Sequence, residues 1–241
     1  MDGGSTDGTV EIIEANKARI SYWESEPDRG VYHAWNKALD RATGEWICFL
    51  GADDYFWKDD VLYQMASHLE AASVKGIRVV YGRVALVSES GELVEIVGWP
   101  WEKIERRFRQ DMPILQTGTM HHLSLFDDHG RFDESFRIAG DYDLLLRELK
   151  SRPAMFASEI TMVGMQLGGL SNVPWHALLS IQEVAHARRK NGIKGFAPWL
   201  FWRRSRAFIR ARLNQLIGTT NADLLIDYQR MLSGKRKKWT V

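Results

Sequence analysis

The feature that most constrains this chain is the run Trp46-Ile47-Cys48-Phe49-Leu50, which stops at Gly51-Ala52-Asp53-Asp54. Five consecutive apolar residues read as a strand buried on both faces, and such a strand needs covering layers above and below it. The flanking segments supply them. Thr9 to Ala18 reads as a helix with Ser5 or Asp7 as its N-cap, Ile20 to Trp23 as a short strand, and Tyr32 to Ala42 as a helix that stops at Gly44. Asp60 to Ala72 reads as a helix. Arg78 to Ser88 reads as a strand that turns at Ser90-Gly91 into a second, Leu93 to Val97. This alternation argues for an α/β layer structure with a mainly parallel sheet. Beyond about Leu170 the pattern becomes helical: Trp175 to Lys190, Pro198 to Ile217 and Ala222 to Leu232. The expected division is a body over 1–170 and a helical extension over 171–241.

Of the 241 residues, 45% are hydrophobic and 26% charged, a composition that argues against disorder, a collagen-like chain or a disulfide scaffold. The single cysteine, Cys48, reads as a buried thiol in a reducing compartment. No apolar stretch approaches the roughly 18–20 residues needed to span a bilayer. The N-terminus lacks the basic region and apolar core of a signal peptide, so the expected place is the cytoplasm. The net charge of +1 conceals an asymmetry. From Ile181 to Val241 there are 14 Lys and Arg against three acids, and the first 180 residues hold 18 against 28. An acidic body suits a metal or polar ligand, and a basic tail suits an anionic surface.

Three segments carry candidate chemistry. Asp2-Gly3-Gly4-Ser5-Thr6-Asp7-Gly8-Thr9 opens directly into a helix; it reads either as a glycine-rich ligand loop or as an ordinary capped turn. Asp53 and Asp54 follow the apolar strand, where open α/β sheets bind ligands. Adjacent carboxylates repel unless a cation lies between them, which suits Mg²⁺ or Mn²⁺; the competing reading is a pair of helix-capping acids before Asp60. In Gly140-Asp141-Tyr142-Asp143, Asp141 is either an N-cap or a general base. His121 and His122 are adjacent, which is the wrong spacing for two ligands from one helix face; one of them can border an acceptor pocket. Arg147 reads as a solvated helix charge.

Taken together and in order, Asp2 to Thr9, Glu26-Pro27-Asp28-Arg29-Gly30-Val31-Tyr32 with Asn36-Lys37, Ala42-Thr43-Gly44-Glu45-Trp46, Leu50 to Asp54, and Gly140 to Leu144 resemble the family 2 glycosyltransferases. The likeness is to the bacterial members that assemble cell-surface polysaccharides. It implies a GT-A fold, with a nucleotide-binding sheet flanked by helices. It also implies a metal-dependent, inverting transfer of a sugar, of hexosyltransferase type, from a nucleotide-sugar donor to a glycan or lipid-linked acceptor. Carried over residue by residue, it makes Asp2, Asp28 and Asp53 donor-binding, Asp53 and Asp54 the ligands of Mn²⁺ or Mg²⁺, and Asp141 the catalytic base. Gly51 stands where many members have a further acid, so the metal must rely on Asp53 and Asp54. Gly140 replaces the Glu of the family's Glu-Asp pair. The family pattern also places a strand, a nucleotide-binding loop and a helix ahead of the Asp2 segment, so the body is expected to be N-terminally truncated. A catalytically inactive binding or assembly partner is therefore the alternative function. Metal-dependent phosphoryl hydrolysis has the paired acids but no phosphate-loop motif. The stretch from Gly98 to Leu123 is expected on the acceptor side.

The tail mixes large aromatics with arginines from Trp199 to Arg212. On a helix, Trp202, Ile209, Leu213 and Leu216 fall near one face, with Arg206 intruding upon it. This is the pattern of an interfacial helix on anionic lipid and predicts a peripheral place on the inner face of the membrane. No nucleic-acid-binding motif accompanies the charge, so no nucleic acid partner is expected.

Overall fold

The computed structural model describes residues 1–168, 174–234 and 237, with the backbone alone at 174 and 175. The chain opens with α1 (Thr9–Ala15) and a 3-10 turn, and continues through α2 (Val31–Leu39), β1 (Trp46–Cys48), β2 (Tyr55–Phe56) and α3 (Val61–Val74). The hairpin β3 (Val79–Val87) and β4 (Leu93–Val97) follows, then α4 (Trp101–Phe108), β5 (Thr119–His122), α5 (Ser124–His129), α6 (Gly140–Leu149) and β6 (Met155–Gln166). Three helices close the described chain: α7 (Pro174–Lys190), α8 (Pro198–Ile217) and α9 (Thr219–Leu232).

The α/β class stands, but the sheet is mixed rather than mainly parallel. Its order is β1-β5-β3-β6-β2, with β4 also on β3. Only the β3–β6 pair is parallel among the named strands. The β3–β4 turn at Ser90-Gly91 forces an antiparallel pair, and β5 returns antiparallel to both β1 and β3. The segment expected as a strand at Ile20 to Trp23 forms no strand. Ile20 and Tyr22 are exposed, and the nearest pairing is one parallel bridge between Asp2 and Ser25. β1 is half-buried, and Cys48 at its end is shielded enough that its thiol is pushed up to about 12. Its Sγ lies 3.6 Å from the Thr117 carbonyl.

Alternation along β3 divides the core in two. Val79 and Tyr81 face a large cluster with Tyr32, Phe49, Phe108, Tyr142 and Leu145; Val80 faces a smaller one with Met65 of α3, Met120 and Met162. Ile181, Val184 and Ala187 of α7, and Ala197 and Leu200 at the start of α8, belong to the larger cluster. Trp199 fastens α8. Its Nε1 donates to Asp111 at 2.9 Å, and the Arg107 guanidinium lies 4.2 Å from the ring centre. Arg203 pairs with the same Asp111, Arg210 with Asp223 at 2.7 Å, and Arg230 with Glu95 at 3.3 Å. Arg206 lies over the Trp202 ring at 4.6 Å. The tail's positive charge is thus partly spent inside the protein. Positions 235, 236 and 238 of its terminal basic run lie outside the described residues.

Arg147 is not a solvated charge. It donates to the carbonyls of His129 and of Arg131 (2.8 Å), so it satisfies the end of α5, and it pairs with Asp143 at 3.4 Å. Burial lowers its pKa.

A second buried charge ties β3 to α6. Arg78 Nε donates to Glu148 Oε1 at 2.9 Å and Nη1 to Asp128 at 2.6 Å, while His129 Nε2 lies 2.7 Å from Glu148 Oε2. Glu148 is 1% exposed. Burial alone would raise its pKa, but the bonds from Arg78 and His129 outweigh this and hold it below the usual 4.5. The pair's contribution is therefore present above pH 4.5 and is lost as pH falls through the lowered value. Glu148→Ala removes the buried acid of Arg78, leaving Nε without its acceptor and only the exposed Asp128 as counterion, and should cost about 3 kcal/mol in urea unfolding at neutral pH. A loss below about 1 kcal/mol would place this network among weak surface pairs.

Candidate active site

Four segments gather around α2 and the carboxyl end of β1. In the first, Asp2 pairs its backbone with Glu24 and Glu26 at 2.9 and 3.1 Å. Its carboxylate accepts from Gly4 N (3.1 Å), Ser5 N (2.9 Å), Ser5 Oγ (2.6 Å) and Ser25 Oγ (2.6 Å). The Ser25 and Ser5 bonds hold its pKa far below the usual carboxylate range. In this arrangement Asp2 organises the loop around it and is 7% exposed. The N-cap of α1 is Gly8 rather than Ser5 or Asp7; Asp7, one residue earlier, receives Thr9 N at 3.2 Å and Thr9 Oγ1 at 2.6 Å.

The second segment lies against the first. A side chain at Gly3 would come within 3.5 Å of Asp28 Oδ2. Asp28 sits 2.9 Å from Lys37 Nζ and 3.1 Å from His33 Nδ1, both on α2. Lys37 also pairs with Glu24 at 2.8 Å, and these two acids raise its pKa, Glu24 the more. Helical spacing puts His33 and Lys37 on one face of α2, so one carboxylate meets both.

The third segment is the turn after β1, closed by Asp54 N to Gly51 O at 3.2 Å. Asp54 Oδ2 accepts from Thr117 Oγ1 at 2.7 Å. A Cβ on Gly51 would stand 3.0 Å from that same Oδ2, so a residue with a side chain there crowds the carboxylate. Asp53 is exposed, with no hydrogen bond or ion pair among the described residues. No group of three or more His, Cys, Asp or Glu side chains among the described residues forms a ready metal cage.

The fourth segment begins α6. Tyr32 of α2 donates its hydroxyl to the Ile138 carbonyl at 2.7 Å and approaches Asp141 Oδ1 at 3.3 Å. Asp141 Oδ1 also accepts from Tyr142 N at 2.8 Å. Burial pushes the Asp141 carboxyl up to about 6, the negative Glu183 adds to the rise, and the two hydrogen bonds only partly offset it. Gly140 explains itself. A Cβ there would fall 2.8–2.9 Å from three atoms of the Tyr32 ring, which is 3% exposed and cannot swing away. The neighbouring acid, Asp143, is fully buried; it receives Lys190 at 2.9 Å and Asn191 at 2.8 Å and anchors the end of α7.

The structure brings Asp28 and Asp141 to one helix, α2, and lays the Asp2 loop beside Asp28. No hydrogen bond or ion pair among the described residues links Asp53 or Asp54 to Asp2, Asp28 or Asp141. His121 is buried against Phe49 and Phe126, with burial lowering its pKa to about 4, so it sits neutral in the core. His122 faces outward to Glu45 at 3.2 Å. Two residues escaped the sequence reading. Thr117 carries no motif of its own. Glu183 accepts the three successive amides of Arg137, Ile138 and Ala139 at 2.9, 2.8 and 2.8 Å from another helix. No local pattern around either residue announces its partner.

A glycine-rich loop, paired acids after the edge strand β1 and a carboxyl at a helix start, on a mixed sheet covered by helices, define a GT-A-type fold. The comparisons agree. The sequence pattern of Glycosyl transferase family 2 matches residues 1–127, and the chain belongs to that family. A PGL/p-HBAD biosynthesis glycosyltransferase of Mycobacterium tuberculosis is 30% identical over 178 residues. The match covers 71% of this chain and 66% of the relative, so the chain spans slightly under two thirds of that protein's length. The succinoglycan biosynthesis protein ExoU of Rhizobium meliloti is 26% identical over 164 residues, covering 62% of this chain and 47% of that one. Among solved structures, S. aureus TarS 1-349 in complex with UDP-GlcNAc superposes with a TM-score of 0.58 at 15% identity, over 95% of this chain and 67% of that chain. A Pyrobaculum calidifontis mannosyltransferase in complex with GDP-Man and Mn²⁺ gives 0.56 at 17%, over 99% and 72%.

The contact at Gly140 yields a test of how tightly α2 and α6 are fitted. Gly140→Ala should cost about 1–3 kcal/mol as overpacking, and removal of the ring in Tyr32→Leu should restore part of that loss. Denaturant melts of the two single variants and the double variant measure it. Strict additivity would show that the ring and residue 140 do not meet.

Proposed function

We propose that the protein is an inverting glycosyltransferase that uses a nucleotide-sugar donor and a glycan or lipid-linked acceptor, with Asp141 as general base. The observation that carries this reading is the Asp141 carboxyl, held at the start of α6 by Tyr32 and Tyr142 and raised to about 6 by burial. A base with that pKa is ionised at neutral pH yet basic enough to take a proton as bond formation begins. The acceptor hydroxyl gives its proton to Asp141 while its oxygen attacks the anomeric carbon from the face opposite the diphosphate. One base is sufficient, because a nucleoside diphosphate leaves without needing a proton. The family membership and the nucleotide-sugar complexes of the two structural neighbours support this assignment.

The donor set after β1 fits a hard divalent ion. Asp53 is free, Asp54 is oriented by Thr117, and both offer carboxylate oxygen, which Mg²⁺ and Mn²⁺ prefer. Two side chains leave positions for diphosphate oxygens and water. When bound, the ion would neutralise charge developing on the leaving diphosphate. The Asp2 and Asp28 loops are the donor side of the reading, with Lys37 holding Asp28 in place.

The described part of the extension carries an apolar face that supports the peripheral-membrane reading. Phe201, Trp202, Phe208, Ile209 and Leu216 are 45–79% exposed on α8. No helix among the described residues is long and apolar enough to cross a membrane.

Four outcomes test these assignments. Asp141→Asn should cut kcat sharply with little change in donor KM, since the lost interaction belongs to the transition state. In the unsubstituted enzyme kcat/KM should fall about tenfold per pH unit below about 6 and level off above it, because only the ionised carboxylate accepts a proton. A profile flat from pH 5 to 8 would sink the base assignment. Asp54→Ala should remove most Mn²⁺-dependent transfer at unchanged thermal stability, and full Mn²⁺-dependent activity would overturn the metal site. Phe201→Ser with Phe208→Ser should weaken sedimentation with phosphatidylglycerol vesicles, and undiminished binding would show that this face does not meet lipid.

A further inference from the structure

The ends of α4, α6 and α7 converge on an open cavity of about 620 Å³ that the transfer chemistry does not use. Its wall carries five cations, Arg106, Arg109, Lys150, Arg188 and Lys194, and no acid. Arg106, Lys150 and Lys194 are exposed and have no ion pair among the described residues. Arg109 has one acidic neighbour, Glu105 on its own helix at 3.6 Å, with both side chains about half exposed. Arg188 differs from these four in its burial. It is only 8% exposed and donates to carbonyls, Nε to Arg109 O at 2.9 Å and Nη2 to Gly195 O at 3.3 Å, as Arg109 Nη2 does to Lys150 O at 3.3 Å. Its Nη1 has no hydrogen-bond partner among the described residues.

Helix ends explain some of this charge but not all of it. Three C-termini point towards the cavity, and each is equivalent to roughly half a negative charge. With Glu105 counted, five cations still leave a surplus of about +2.5 at low dielectric relief. Such a surplus inside a concave wall attracts a compact polyanion, and Arg forks with Lys ammoniums match phosphate oxygens. Phe196, 76% exposed, lies on the same rim, and its ring centre is 6.0 Å from that of Phe201 on α8. A basic pocket with an apolar lip is suited to the phosphate of an amphiphile more than to a free ion. The place is separate from the transfer site, since Lys150 lies nine residues beyond Asp141, roughly 13 Å along α6.

We propose that this cavity is a binding site for a phosphoryl group, seated among Arg106, Arg109, Lys150, Arg188 and Lys194 with Phe196 at its lip. A lipid phosphate and a soluble phosphate compound share that chemistry, and the apolar lip favours the lipid. The site anchors a phosphate-bearing molecule beside the catalytic body whether or not Asp141 acts as the base.

The experiment reads binding, so a failure of the transfer reading leaves it intact. The full chain and two triple variants are compared. Arg106→Ala, Lys150→Ala, Lys194→Ala empties the cavity wall of its unpaired cations and spares Arg188, which holds two backbone carbonyls. Lys17→Ala, Arg19→Ala, Lys75→Ala removes the same charge from exposed positions elsewhere. Sedimentation with phosphatidylcholine vesicles containing phosphatidylglycerol should fall at least tenfold for the cavity triple and less than threefold for the other. Inorganic pyrophosphate should compete. Saturable pyrophosphate binding by calorimetry, lost in the cavity triple but with no vesicle binding by the full chain, would assign the site to a soluble phosphate compound. Equal loss in both triples would overturn the proposal in favour of bulk charge, and so would a full chain that binds neither vesicles nor pyrophosphate. Circular-dichroism melts of both triples should show no loss of stability against the unsubstituted chain.

Discussion

The acceptance of three successive amides by the Glu183 carboxylate is the interaction on which the candidate site depends. Arg137, Ile138 and Ala139 precede α6, so their N–H groups have no partner within that helix. A carboxylate on α7 satisfies all three at once and fixes where α6 begins. Charge-assisted bonds of this kind are short and strong, and three on one group tolerate little displacement. Asp141 begins its helix one residue after Gly140 and inherits that position. It also inherits a cost, because a second anion nearby disfavours its ionised form and joins burial in raising its pKa. One positioning device thus does two jobs, setting the geometry of the carboxyl and its basicity.

The opposite wall of the site rests on α2. Tyr32 reaches the start of α6, while His33 and Lys37 hold Asp28 beside the Asp2 loop. Trp35 of the same helix packs against Phe49, at 4.8 Å between ring centres and tilted by 34°, just before the Gly51–Asp54 turn. A helix of nine residues therefore touches three of the four segments. Gly140 is the condition for this: only a residue without a side chain lets the Tyr32 ring close onto α6. The departure from the family's Glu-Asp pair becomes a packing requirement of this chain, in which α2 and α6 sit closer than an acid at 140 would allow.

Much of this was legible in the sequence. The α8 bounds, the β3–β4 hairpin and α3 followed from the sequence pattern, and the ordered acidic motifs pointed to the family. What escaped reading depends on partners distant in sequence. β6 (MFASEITMVGMQ) shows no clean alternation, because its pairing with β3 shifts register between Gly82 and Val84. The mixed sense of the sheet turned on where β5 returns, which no local pattern specifies. Arg147 was misread because its neighbours on α6 give no sign that the end of α5, with open carbonyls, lies against that face. Glu183 and Thr117 were invisible for the same reason: each is an ordinary residue in its own element and acts only across space.

The charge asymmetry, read from sequence as one basic tail, separates in three dimensions into two populations with different physics. Arg203, Arg210 and Arg230 are matched by Asp111, Asp223 and Glu95, partly shielded, and act as fasteners between helices. Buried or half-buried pairs of this sort specify which surfaces meet, since losing either partner leaves a charge without its counterion. Arg106, Lys150 and Lys194 have no such match among the described residues, although acids are plentiful in the body that surrounds them. Folding could have placed an acid within reach of these cations, as it did for the fasteners, and self-repulsion among the cations opposes leaving them together. Their shared concave wall, unlike a solvated rim, keeps that repulsion alive because the low-dielectric protein behind it limits screening. A cluster that costs stability in the isolated chain and lies away from Asp141 is best understood as retained for an anion from outside.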